Sequence, residues 1–541
     1  MQTNGNHSIE FNDAVIKESK SVKYLGMILD NTLSWNEHAE YIIAKSTKQL
    51  NILKFLRGTW WGGHPKVLKQ SYLSLIRSSL EYGLFLTHIK NSNLRSKIQK
   101  IKNQAIRLAL GYRRSTPINV MHSESKIPHF NDRIRYLSDN FILKLIAHDT
   151  PLKQKIENLS ITIANNDRLN IKNNFPIIRS YNEIKSLVQN KIQRHLHPIP
   201  YDYTYEAIVE QPDINVTSGL HIKKSANPPQ EFEKIFNDTI ITQYTIFTDA
   251  SKMKNQEYTG LAMFIPSNNQ AYQFKIHTEA SIFTAEGLAI FLSLNNIINS
   301  NFKRAYIFTD SLSILSALKD YTPNKSRNTS HIILDIKTLL NKCSQENIKV
   351  TLIWIPAHVN IKYNETVDSL AKNAIKDGTN TIYLLPFSDF GDKIKQKLIL
   401  NTQQLITDQG TYKGTHYFDH YYKDNEAKPW FTKINLPREH ITTINRIRSN
   451  HYNLSASLFR KNIIQSPTCE CGYESENIDH ILWDCPRFSN QRYSLIINKL
   501  NHYHSKKKKN TPKDTTSLLK NPNEKPARII TEYLKRCNLQ I

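Results

Sequence analysis

Apolar positions along this chain follow two different periods. In residues 36–58 (NEHAEYIIAKSTKQLNILKFLRG), 65–83 (PKVLKQSYLSLIRSSLEYG) and 93–115 (NLRSKIQKIKNQAIRLALGYRRS) they recur every three or four places. That spacing predicts three helices, preceded by a strand at 21–29 (SVKYLGMIL). From residue 244 the period falls to two: YTIFTDA, YTGLAMFIP and AYQFKIH, joined by short polar turns, predict an antiparallel meander. Beyond it the pattern predicts a helix at 281–299, a strand at 304–309, helical stretches at 312–320 and 329–344, a strand at 349–355 and a helix at 364–377. Strands that alternate with helices pair in parallel, so the centre is an α/β domain with a mixed sheet, between flanks that are mostly α.

These patterns divide the chain into a basic helical region (1–150), a polar, weakly periodic connector broken at HPIPYD and ANPPQE (151–240), and the α/β domain (241–378). A helical region (379–500) and a basic tail read as disordered (501–541), with KKKK at 506–509, complete it. Trp35, Trp60 and Trp61 are read as core aromatics.

The net charge of +25 points to a polyanionic partner, and its placement sharpens that expectation. Residues 241–378 carry 14 Lys and Arg against 11 Asp and Glu, leaving +22 in the flanks. Lys97, Lys100, Lys102, Arg107, Arg113 and Arg114 decorate the third predicted helix and are the candidate nucleic-acid contacts. No run approaches the roughly 18 apolar residues of a membrane span, and the polar start lacks signal-peptide regions. An intracellular protein, in the nucleus and/or cytoplasm, is expected, and its oligomeric state is left open.

Two segments, QYTIFTDASK and RAYIFTDSLS, each end an apolar run in aspartate, at Asp249 and Asp310. Either aspartate has an ordinary reading, Asp249 as a turn residue and Asp310 as a helix cap. Glu286 and Asp368 are harder to dismiss. Each falls within the apolar stripe of its helix, where a carboxylate has to be paired, protonated or bound to a cation. Four acids from four elements converge only if cations neutralise them, and hard oxygen ligands suit two Mg²⁺ or Mn²⁺ ions. Of the five cysteines, Cys469, Cys471 and Cys485 stand with His480 in a C-x-C-x8-H-x4-C array that fits a tetrahedral Zn²⁺ site. Cys343 and Cys537 are read as ordinary free thiols.

FTDAS, AEGLAI, IFTDSLS, WIPAHV and NETVDSLAK together resemble a type 1 ribonuclease H domain of the kind found in non-LTR retrotransposon polyproteins. The resemblance implies a five-stranded mixed sheet flanked by helices, with Asp249, Glu286, Asp310 and Asp368 as the metal-binding acids. It also implies that His358 assists proton transfer or product release. Asn360 and Tyr363 stand where that family commonly has glycine, so the loop of His358 is expected to be altered. VKYLGMILDNTLSWNEHAEYI and the helices after it are similar to a reverse transcriptase end running into the thumb, yet no Tyr-x-Asp-Asp occurs in the chain. The Cys/His array resembles a zinc-knuckle-like element of such polyproteins. The implied activity is metal-dependent cutting of RNA in RNA–DNA hybrids, with nucleic acid and a polymerase-containing retrotransposon protein as partners. A nucleic-acid-binding remnant without catalysis is the alternative.

Overall fold

The computed structural model describes residues 8–11, 14–17, 19–58, 61–87, 89–148, 151–165, 175–194, 202–253, 255–321, 330–507, 512 and 514–541. They form two compact units: residues 1–138, 175–177 and 397–541 make one, and residues 139–174 and 178–396 the other.

The first unit is composite, since its core joins segments from both ends of the chain. It opens with two hairpins, β1 (Ser8–Phe11) with β2 (Ala14–Lys17) and β3 (Ser21–Tyr24) with β4 (Met27–Asp30). The expected single strand at 21–29 is therefore two strands, because Leu25 (φ 46°) and Gly26 (φ 82°) make a tight left-handed turn between them. The three predicted helices appear as Asn36–Leu56, a helical run over 65–81, and Ser92–Leu110.

Their apolar faces share one core with the C-terminal third of the chain: Leu50, Ile98 and Val120 belong to the same cluster as Tyr417, Ile444, Leu495 and Tyr533. Polar ties reinforce this sharing. The last carbonyls of Ser92–Leu110 have no partner within their helix. Arg438 donates to Leu108 O (2.7 Å) and Ala109 O (2.8 Å), Asn445 to Leu110 O (3.0 Å) and Arg446 to Gly111 O (2.8 Å). Arg448 and Glu124, each 4 % exposed at the side chain, form a buried ion pair at 2.7 Å.

The tail expected to be disordered is instead folded into this core where it is described. Ala527, Ile530, Tyr533 and Leu534 of the helix Glu524–Arg536 are buried, an amphipathic face that the surrounding lysines obscured. Lys508 and Lys509 of the KKKK run lie outside the described residues. Trp61 is 66 % exposed and stands against Phe55 on the surface, so it is not a core aromatic, whereas Trp35 is half-buried and packs on the core. Trp60 lies outside the described residues.

The second unit is built on a seven-stranded mixed sheet. Two strands precede or begin the meander: β5 (Asp213–Asn215) and β6 (Tyr244–Ser251). Then come β7 (Tyr258–Ile265), β8 (Gln270–His277), β9 (Arg304–Thr309), β10 (Lys349–Trp354) and β11 (Thr379–Asn380), in the spatial order β11-β8-β7-β6-β9-β10-β5. The expected five strands are the middle five, and β5 and β11 extend the edges.

Residues 151–240 are thus more than a connector. They supply β5, and the helix Pro228–Thr242 sends Phe232 and Phe236 against Phe247 and Phe308. Phe247 and Phe308 themselves stack at 4.6 Å across the parallel pair β6–β9. Aromatic pairs of this kind add about 0.5–1.5 kcal/mol each to the burial term, and this cluster holds the sheet's centre rigid directly behind the strand ends.

Candidate active site

Register places the two FTD aspartates side by side. Thr248 pairs with Thr309 in the parallel β6–β9 ladder, so Asp249 and Asp310 follow as adjacent strand-end residues. Asp310 does not cap the next helix. Ser311 takes the N-cap position of Leu312–Lys319 without any side-chain cap bond, and its hydroxyl instead donates to Glu286 Oε2 at 2.5 Å.

Glu286 arrives on the helix Ile282–Ile298, which starts where Ser281 Oγ accepts from Thr284 N–H at 3.1 Å. Asp368 arrives on Lys362–Asp377. That helix comes close to β7 because Gly260 has no side chain: a Cβ there would stand 2.1 Å from Ala371 O. Opposing Ser251 in the β6–β7 ladder, Gly260 lets the Asp368 helix press against the sheet beside Asp249.

The electrostatics report the crowding. Burial pushes the Asp249 carboxyl, 8 % exposed, up to about 8; Asp310, Asp368 and Glu286 add to the rise, and the Ala250 N–H at 2.7 Å opposes it. Burial raises Glu286, partly offset by Ser311 and reinforced by Asp310. Burial raises Asp310 as well, with His358 and Asn364 pulling the other way and Asp368 adding to it. The structure thus places Asp310, Asp368 and Glu286 within electrostatic reach of Asp249, and Asp310 within reach of Glu286 and Asp368.

A pocket of carboxylates that hold protons this tightly carries more negative charge than its surroundings balance. The one ammonium in direct contact among the described residues is Lys372 Nζ, 2.5 Å from Asp368 Oδ2. Oxygen donors with a charge deficit of this sign fit hard divalent cations.

His358 is exposed, and a ligand nitrogen of its ring lies within 4.8 Å of carboxylate oxygens of Glu365 and Asp368. Both His358 (φ 54°) and Asn360 (φ 61°) are left-handed, which asparagine tolerates well and which keeps the histidine at the loop's crest. Tyr363 needs no such conformation. It lies in the helix with its ring 5.3 Å from Phe247 and 6.0 Å from Phe264, so its side chain serves the core.

Four further residues complete the site: Ser311, Asn364, Glu365 and Lys372. Asn364 is buried and hydrogen-bonds Asp310. The signal for two of them, Asn364 and Lys372, was the ladder Asn364, Asp368, Lys372, four residues apart on one helix face. Nothing in the local sequence marks Ser311 as a partner of Glu286.

The Cys/His array also comes together. Cys469 Sγ lies 3.8 Å from Cys485 Sγ, and Cys471 Sγ 3.2 Å from His480 Nε2. Gly472 (φ 91°) turns the chain back so that Cys469 N–H donates to Tyr473 O at 2.8 Å, and Tyr473 stacks on the His480 ring at 4.3 Å. Four ligands about 2.3 Å from a tetrahedral zinc stand about 3.8 Å apart, so these separations fit that ion. Burial pushes the Cys485 thiol up to about 12, a cost that a cation offsets.

The basic residues of Ser92–Leu110 and its end divide by exposure. Lys97, Lys100 and Arg114 are exposed, and Arg107 and Arg113 are half-buried. Lys102 is 3 % exposed and donates to Pro128 O at 3.1 Å, so it does not belong to a nucleic-acid surface. Its position, four after Ile98 and three before Ala105, already lay on the buried stripe.

Comparison with known proteins places the acid cluster in a family. Residues 241–376 match the family model for RNase H, so the chain carries an RNase H domain there, and all four acids and His358 fall within it. Among solved structures similar to the chain is RNase H1 from the halophilic archaeon Halobacterium salinarum NRC-1. It is 16 % identical, covering 25 % of this chain and 98 % of that one, with a TM-score of 0.20. No curated protein matches the chain.

Proposed function

We propose that residues 241–376 cut the RNA strand of RNA–DNA hybrids, leaving a 3′ hydroxyl and a 5′ phosphate, with two divalent ions held by Asp249, Glu286, Asp310 and Asp368. The observation that carries this reading is the set of buried and half-buried carboxylates, Asp249, Glu286 and Asp310, that partial burial and one another push toward protonation, inside a segment that matches RNase H. Bound among them, Mg²⁺ or Mn²⁺ activates water and stabilises the leaving oxygen of a phosphodiester.

The chain's own residues do the rest. Asp249 and Asp310 hold the centre from the rigid strand ends, and Ser311 orients Glu286. Asn364 fixes the Asp310 carboxylate, while Lys372 holds the Asp368 carboxylate from the opposite side. His358, exposed on its left-handed loop, takes or gives a proton at the scissile phosphate as substrate arrives. The exposed Lys97, Lys100 and Arg114 contact phosphates, a role that carries little base specificity.

We read the whole chain as derived from a non-LTR retrotransposon polyprotein, acting in the nucleus and/or cytoplasm beside a polymerase-containing protein; the quoted segments support this. Among the described residues no helix is long and apolar enough to cross a membrane.

The test is incubation of the purified chain with end-labelled RNA–DNA hybrid and Mg²⁺, beside Asp310→Asn. Cleavage that disappears in the variant is expected. Salt-sensitive binding without cleavage by either protein would replace the enzyme with a binding remnant. At the Cys/His element, Cys469→Ser should lower bound zinc measured by atomic absorption and leave hybrid cleavage in place. Unchanged zinc content would remove the ligand assignment.

A further inference from the structure

Lys102, absent from the basic surface, lines a cavity of about 280 Å³ inside the composite unit. The cavity is walled by Ser92–Leu110, by Ile118–Ser125, by residues 129–130 and by residues 405–413. Its volume lies near the lower end of small-molecule sites, about 300 Å³. That is room for a compact ligand.

The lining is one-sided in charge. Its polar groups include Gln99, Lys102, Asn103, His122 and His129, and no carboxylate is among them. The Lys102 ammonium has three N–H donors. One goes to Pro128 O at 3.1 Å, and the ring of Phe130 lies 5.5 Å away on another side. A buried ammonium ordinarily sits against an acid.

The acids that Lys102 feels, Glu81 and Asp132, are already engaged. Glu81 pairs with Arg133 (3.2 Å) and Arg77 (3.7 Å), and Asp132 accepts from the Thr402 hydroxyl at 3.0 Å. Burial brings Lys102 down to about 7, and burial together with the Lys102 charge holds His122 and His129 below the ordinary imidazole range. His122 Nδ1 is turned to Ile127 O at 2.8 Å. Three bases share one space, and the acids that act on them, Glu81 and Asp132, lie outside its lining.

We propose that this cavity is a binding site for the phosphate group of a small phosphorylated molecule of roughly mononucleotide size, with the Lys102 ammonium as its anion contact. A phosphate monoester brings close to two charges and three acceptor oxygens. That number suits the free donors of Lys102 and the amides of Gln99 and Asn103, whereas a carboxylate brings two oxygens. Phe130 and Tyr412 at the wall offer ring faces to the part of the ligand beyond the phosphate. The inference does not depend on the nuclease reading.

The experiment is calorimetric titration of the full chain with inorganic phosphate and, separately, with adenosine 5′-monophosphate, for wild type, Lys102→Met and Arg95→Met. Saturable one-to-one binding to wild type is expected, weakened at least tenfold by Lys102→Met and unchanged by Arg95→Met, an exposed basic residue of the same helix. Tighter binding of the monophosphate than of phosphate marks a ring-bearing ligand, and equal binding marks a site for the free anion.

Raising the pH from 7.5 to 8.5 should weaken wild-type binding several-fold, because Lys102 loses its proton there while the ester is already a dianion. His122 and His129 are neutral across that range, and the other charged groups that act on Lys102 are Glu81, Asp132 and Arg77. Should Lys102→Met not fold, Gln99→Leu carries the test, with a several-fold loss expected. Equal affinity in Lys102→Met, equal losses in the Arg95 and Lys102 variants, or no saturable binding at 10 mM of either probe overturns the proposal.

Discussion

The unit that carries the RNase H domain and the composite unit hold charge of opposite sign away from water and use it differently. In the first, Asp249, Glu286 and Asp310 stand together with few donors between them, and burial drives each toward protonation. In the second, Arg438 and Arg448 are buried and Arg446 is half-buried. Yet their guanidinium groups end on backbone carbonyls of Leu108, Ala109, Gly111 and Leu519 and on the carboxylate of Glu124. Satisfied charge is a fastener; unsatisfied charge is a vacancy for a ligand. Lys102 resembles the acids in this respect and differs from the arginines around it.

The sharpest way to break the contrast is at Asp310. Asp310→Asn should lower hybrid cleavage by about three orders of magnitude, about 4 kcal/mol of barrier, and adding Asp249→Asn should cost little more, since ligands of one centre act as a unit. Two partly active single variants whose losses multiply would show that the acids do not share a centre.

Next in size is Glu124→Gln. It leaves Arg448 buried without its counter-charge, and about 3–5 kcal/mol of stability should go, read as a lower denaturation midpoint of the composite unit. A change under 1 kcal/mol would mean that the carbonyl contacts alone hold Arg448.

Gly260→Ala forces the Asp368 helix off β7, and cleavage should fall about a hundredfold, the usual result of a displacement near 1 Å. Near-normal activity would show that the sheet, rather than this close approach, positions Asp368.

The smallest effect is on the metal-free protein. The folded-state affinity of Asp249 for its proton is raised from the ordinary 3.8 to about 8. Its stability contribution is therefore complete below about pH 4 and lost as the pH climbs to about 8. In EDTA at pH 8, Asp249→Asn should be more stable than wild type by about 1–3 kcal/mol, and saturating Mg²⁺ should reverse the order. Parallel melting curves for both proteins from pH 5 to 8 would remove the electrostatic account.

Much of the unit that carries the RNase H domain was readable from the chain because its candidate site residues sit in short local patterns. The strand expected at 304–309 is Arg304–Thr309, and the two acids inside apolar helix stripes, Glu286 and Asp368, were anomalous on spacing alone. The edge strand Asp213–Asn215 was not readable, since three residues show no period, and its pairing with Thr351 lies far along the chain. Phe232, Phe236 and Ile240 did recur every four residues in a segment taken for a connector, but what they cover becomes evident only when the sheet exists.

The composite unit was the least readable. Its helices announced themselves, but which faces meet is decided by contacts such as Arg438 with Leu108, 330 residues apart. No window of sequence contains both partners. The burial of Lys102 and the order of the last helix follow from that same long-range packing.

The shared core also sets a timetable for synthesis. On the ribosome, the helices of residues 36–110 emerge with an apolar face whose cover is still hundreds of residues from being made, while residues 139–396 can complete their own unit in the interval. The nascent N-terminal helices are then the stretch most in need of chaperone protection, and a stop codon anywhere before Arg438 would strand them permanently.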